Sequence, residues 1–141
     1  MRSFVLATSA FATAAAIGIT GAFASTTGAH GKVCGAKKCI ALPPRLAYAL
    51  SQRNGSYSAT GAPKPARYYR IVIKSKGEGF ISQTILWLPR QKRWYDRQFL
   101  TPPLPGYWRT DDPAVRSKLR AIVRTLKPFP APAKWSSVLP K

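Results

Sequence analysis

The stretch that decides the fold is "RYYRIVIKS" at residues 67–75, followed by "KGEG" at 76–79 and "FISQTILWLP" at 80–89. The first segment is rich in aromatic and β-branched side chains, which suit a half-buried pleated surface. Successive strand residues point to opposite faces, so Tyr69, Ile71 and Ile73 share one face while Tyr68, Arg70, Val72 and Lys74 share the other. In the return segment Ile81, Ile85 and Trp87 fall on a common face. Two such runs joined by a glycine-bearing turn predict an antiparallel hairpin. After Pro89 to Lys92, "RWYDRQFL" at 93–100 predicts a third strand and hence a meander.

Toward the C-terminus, "TPPLPGYW" reads as a proline-rich turn region. Asp111 and Asp112 then supply acceptors for a helix start, Pro113 fits the first turn, and Val115, Leu119, Ile122 and Leu126 recur at helical spacing until Lys127-Pro128. The expectation is an amphipathic helix over 113–127, with Arg116, Arg120, Arg124 and Lys127 forming a basic stripe beside the apolar one. The tail "FPAPAKWSSVLPK" is expected to lie extended over the domain. Toward the N-terminus, "SYSATGAPKPA" at 56–66 is a loop by composition, and "IALPPRLAYALSQRNG" predicts one short helix with Pro43 and Pro44 at its start. The fold class is therefore α+β: a small antiparallel sheet, hairpin plus third strand, packed by a C-terminal amphipathic helix and joined by a short N-terminal helix.

"MRSFVLATSAFATAAAIGITGAFAS" has Arg2, then an uncharged apolar run, then Ala22-Phe23-Ala24 before Ser25. That is the order of a secretory signal peptide cleaved after residue 24. The competing reading is an uncleaved N-terminal membrane anchor, since a spanning helix needs about 20 apolar residues. Residues 25–33, "STTGAHGKV", read as a flexible lead-in. Residues 34–141 read as a single small α+β domain. Cleavage leaves 117 residues, and losing Arg2 alone from 23 basic residues lowers the formal charge only from +19 to +18.

Cys34 and Cys39 are the only cysteines. Export would favour a disulfide between them, because oxidising compartments let disulfides persist. Intermolecular or free thiols, metal and redox chemistry are the alternatives. Zinc asks for about four ligands, whereas the chain adds only His30 to the two cysteines, and redox motifs are more often C-x-x-C.

"VCGAKKC", "YYRIVI", "WLP" and "LKPFPAP", in that order, resemble small exported proteins of high-GC Gram-positive bacteria. The resemblance spans most of the mature chain. It implies a secreted protein with a paired C-x4-C and an α+β domain, and it brings no catalytic residue.

The acidic inventory is Glu78, Asp96, Asp111 and Asp112. Glu78 sits in the predicted turn, and Asp111 and Asp112 read as helix-start residues, so the paired carboxylates that glycosidases and many nucleases use are not evident. His30 lies in the lead-in, away from any serine or cysteine nucleophile. The expectation is a non-enzymatic protein with no cofactor and no metal. Its charge points instead to binding, because so large an excess concentrates anions over the surface. Candidate anion contacts are Arg90, Lys92, Arg93, Arg97, Arg116, Arg120, Arg124 and Lys127, with Trp94, Tyr95 and Trp108 as candidate aromatic contacts. The plainer reading makes those tryptophans core and the cations solvated surface. The expected partners are anionic cell-wall polymers or an anionic lipid surface. A nucleic-acid-binding protein, or a secreted effector acting on membranes or as an inhibitor, is the alternative.

Overall fold

The computed structural model describes residues 28–52, 59–75, 82–99 and 105–141. In chain order these form β1 (Ala29–Cys34), β2 (Cys39–Ala41), α1 (Pro44–Ser51), β3 (Ala59–Thr60), β4 (Tyr69–Ser75), β5 (Ser82–Leu88), β6 (Arg93–Phe99), β7 (Tyr107–Thr110) and α2 (Pro113–Ile122). Short 3₁₀ turns follow at Val123–Thr125 and Trp135–Ser137. The strands make one sheet in the order β2-β1-β4-β5-β6-β7-β3, and every neighbouring pair is antiparallel.

The hairpin and third strand form as the alternation requires. Ile71 faces Ile85 and Tyr69 faces Trp87 across β4 and β5, so a one-residue slip would carry this whole apolar row to the opposite face. That row, with Val33 of β1 and Trp94 of β6, packs under Leu46, Ala47 and Leu50 of α1 and Val115 and Leu119 of α2. Burial of each such large aliphatic side chain contributes about 1.5–3 kcal/mol. Helix α1 opens with Pro44 at its first turn and has no side-chain cap. In α2 the Asp112 carboxylate accepts a hydrogen bond from the Ala114 amide at 2.9 Å, as a helix-start aspartate should.

The opposite face has its own core. Tyr68, Leu86, Leu88, Tyr95, Trp108 and Trp135 cluster there, with Phe129, Val138 and Leu139 of the tail packed against them. Phe129 stacks on Tyr68 at 5.1 Å between ring centroids, Trp135 lies 4.9 Å from Trp108, and Tyr95 meets Trp108 edge-on at 5.3 Å. The Trp135 indole also donates to the Pro63 carbonyl at 2.7 Å. The tail thus lies over the sheet, fastened by aromatic contacts, but it is not extended throughout, since Trp135–Ser137 form a 3₁₀ turn.

The sheet is larger than the sequence suggests, and this corrects the expected architecture. Residues 29–33, expected as flexible lead-in, belong to β1. "AHGKVC" has little strand propensity, yet β4 offers an open edge and all six residues pair with it. Gly31 is needed there, because a Cβ would sit 2.9 Å from the Val72 carbonyl oxygen and 3.3 Å from Leu42. Strand β7 likewise emerges from the expected turn region and β3 from the expected loop. Helix α2 stops at Ile122 instead of running to 127, and Leu126 is already extended. The 76–79 turn with Glu78, Ile81 of the return segment, the end of the first predicted helix segment at Asn54 and Gly55, the expected signal segment at 1–24 and lead-in residues 25–27 lie outside the described residues.

Candidate anion-binding surface

The placement of the three aspartates decides the sign of the surface. Asp96 points to the helix side of β6 and is 1% exposed. Gln83 Nε2 donates to its Oδ1 at 2.7 Å, and Arg109 Nη2, itself fully buried, donates to its Oδ2 at 2.5 Å. The Arg109 guanidinium also lies 4.8 Å from the Trp94 ring centroid. Burial pushes the Asp96 carboxyl above its ordinary pKa, outweighing the opposing pull of Arg109 and the hydrogen bonds from Gln83 and Arg109. Asp111 is fully buried and accepts from the Trp87 indole at 3.1 Å. Arg116 Nε donates to its two oxygens at 2.9 and 3.0 Å, and Arg116 Nη2 bonds it as well. Asp112 is the helix cap. Tyr69 donates its hydroxyl to the Leu126 carbonyl at 3.2 Å, and burial raises its phenol pKa. Every side-chain carboxylate among the described residues is therefore interior, while of the described lysines and arginines only Arg109 is buried.

The expected contact residues divide. Trp94 is fully buried and Tyr95 and Trp108 nearly so, which corrects the expectation that they present ring faces to a ligand. Alternation along β6 splits the run from 90 to 97: Trp94 and Asp96 face the helices, whereas Arg93 and Arg97 face the tail. Arg93 donates to the Gly61 carbonyl at 3.2 Å, and Arg97 to the Pro140 carbonyl at 3.2 Å. Arg90 and Lys92 are exposed in the β5–β6 turn, where Arg120 reaches the Pro89 carbonyl at 3.3 Å. Arg124 and Lys127 are exposed on the segment after α2. Arg116 is an internal ion-pair partner and is not part of a free stripe.

Cys34 and Cys39 are bonded to each other and stand directly opposite in the β1–β2 register. The bond ties the turn Gly35-Ala36-Lys37-Lys38. Gly35 donates to the Lys38 carbonyl and Ala36 to the Lys127 carbonyl, both at 2.9 Å. Gly35 has to be glycine, since a Cβ would collide with the Lys127 carbonyl oxygen.

Next to this turn the structure shows a cationic depression that the sequence reading missed. On β1 and β4 the residues alternating away from the helices are His30, Lys32 and Cys34, and Arg70, Val72 and Lys74. The tail covers the far half of this face and reaches Arg70, whose Nη2 donates to the Val138 carbonyl at 3.5 Å, while His30, Lys32 and Lys74 are exposed. A depression of about 410 Å³ is lined by Lys32, Lys37, Lys38, Arg70, Val72 and Phe129 among others. A second, of about 250 Å³, adjoins it through Lys32 and Val72 and reaches His30 and Lys74. Arg70 and Lys74 were legible as one strand face, but Lys32 joins them only through β1.

Among the described residues no helix is long and apolar enough to cross a membrane, and no three His, Cys, Asp or Glu side chains come together as metal ligands. No family model, curated protein or solved structure matches the chain.

Proposed function

We propose that this is a secreted, non-enzymatic cationic domain that associates with anionic polymers of the cell envelope through charge. One observation carries the reading: the described side-chain carboxylates are buried in structural roles, so the excess of lysines and arginines over carboxylates is expressed outward. Such a surface attracts polyanions at long range and releases their counterions on contact. The Cys34–Cys39 bond suits an oxidising compartment, and the N-terminal sequence has the order of a signal peptide.

Helix α2 gives its apolar side to the core, with Val115 and Leu119 buried. It therefore has no free apolar face for lying in a bilayer interface, which weighs against the membrane-active effector.

The test is retention on isolated cell walls and in salt washes of intact cells. Affinity should fall about a thousandfold between roughly 50 and 200 mM salt if six or more charges are neutralised. Salt-insensitive binding, or no retention at low salt, would remove the reading.

A further inference from the structure

We propose that the open depression over β1 and β4 seats one extended chain of a base-free phosphodiester wall polymer, held by Lys32, Lys37, Lys38, Arg70 and Lys74. This rests on the charge-driven reading above and names its site.

Lys74 stands directly opposite His30, and Lys32, opposite Val72, is diagonal to both Lys74 and Arg70. Diagonal cations on a sheet, here Lys32 with Lys74 and with Arg70, repel one another. The described carboxylates that could relieve this are buried on the helix side, with Asp96 in β6 and Asp111 and Asp112 at the start of α2. A bound polyanion removes the repulsion.

Spacing supports a chain as occupant. Alternate residues of a strand repeat at about 7 Å, so Lys74, Lys32 and Arg70 form a zigzag row along β1 and β4. Lys37 and Lys38 continue that row on a turn already held by the disulfide and by the Ala36 to Lys127 hydrogen bond. A site whose backbone is fixed beforehand loses less entropy on binding.

The lining separates this occupant from its rivals. A bilayer contact would use exposed large apolar side chains, yet among the described residues those are Tyr48 and Tyr107, and neither lines the depression. Single-stranded nucleic acid would stack its bases on exposed aromatic rings. The aromatic side chain lining the larger depression is Phe129, whose ring is stacked on Tyr68 and approached by Arg70 at 5.8 Å.

The experiment measures binding of long-chain inorganic polyphosphate to the intact, disulfide-bonded protein. It compares the triple variant Lys32→Gln, Lys37→Gln, Lys38→Gln with an equal charge loss elsewhere, Arg45→Gln, Lys64→Gln, Lys118→Gln. All six side chains are exposed. The first triple should weaken binding at least about tenfold at low salt and lower the salt slope by about two, while the second changes affinity less than about threefold. Independently of any variant, polyphosphate should shift the wild-type backbone amides of residues 31–39 and 70–74. Equal losses in the two triples, or shifts spread over the whole surface, would overturn the site and leave the charge-driven reading standing. Absence of binding at low salt would bring down both. Loss of binding to phosphatidylglycerol vesicles with polyphosphate affinity unchanged would give the depression to a bilayer and overturn the proposal. So would an oligonucleotide of equal charge binding more than about tenfold tighter than polyphosphate.

Discussion

Asp96 shows how a single residue's chemistry is set by its position on a strand. Alternation turns it inward beside Gln83 and Arg109, where a carboxylate survives only because both donate to it. Asp96→Ala should cost about 3–5 kcal/mol in urea unfolding, since it removes the carboxylate that the buried Arg109 guanidinium donates to. The pH dependence has a definite sign. Burial lifts the folded-state pKa above the unfolded value, so folding favours the protonated form. The stability from that proton is complete below the unfolded value and is lost as pH rises through the folded one. Alanine does not titrate, so the wild-type advantage over Asp96→Ala should widen as pH falls through this range. A gap that narrows in acid would show that Arg109 dominates instead.

At the scale of elements, α2 and the β1–β2 hairpin each join a structural task to a charged one. The cations after Asp112 repeat on one stripe, but the fold uses them differently. Arg116→Gln should lower stability by about 2–3 kcal/mol, because Asp111 would keep a buried charge with the Trp87 indole left as its donor. Arg120→Gln and Arg124→Gln should each stay within about 0.5 kcal/mol, as exposed positions usually do. Thermal or urea melts of the three single variants separate these outcomes. In the hairpin, Cys34→Ser opens a short loop and should cost about 2 kcal/mol or less. Non-reducing mass spectrometry of the wild type should find one intramolecular bridge and no free thiol.

For the whole molecule, the tail makes the second layer of the sheet. Without Trp135 and Phe129, the ring faces of Trp108 and Tyr68 and the apolar side chains around them would be open to water. Trp135→Ala should therefore cost about 3–5 kcal/mol and promote association of the exposed face, measured by unfolding and by light scattering. The same tail stops short of β1. Its reach sets which half of the face is core and which half is left to solvent and cations.

The local elements with strong periodicity were legible from residues alone. Ile71, Ile73 and Ile85 announce β4 and β5, and Pro44 with Leu46 and Leu50 announces α1, because period-2 and period-3.6 patterns are local properties of the chain. The large excess of cations over carboxylates, and the short spacing of Cys34 and Cys39, were equally plain. Strand β1 was not, since Ala29 to Val33 carry no apolar alternation strong enough to signal a strand, and only the open edge of β4 makes them one. The roles of Trp94 and Arg116 were also beyond a sequence reading. Whether an indole is core or surface, and whether a guanidinium is free or paired, depends on what packs against it from distant segments. Tertiary structure alone brought Lys32, Arg70 and Lys74 onto one open face and drew the three aspartates inside, because sheet pairing places residues about 40 apart in sequence side by side on one pleated surface.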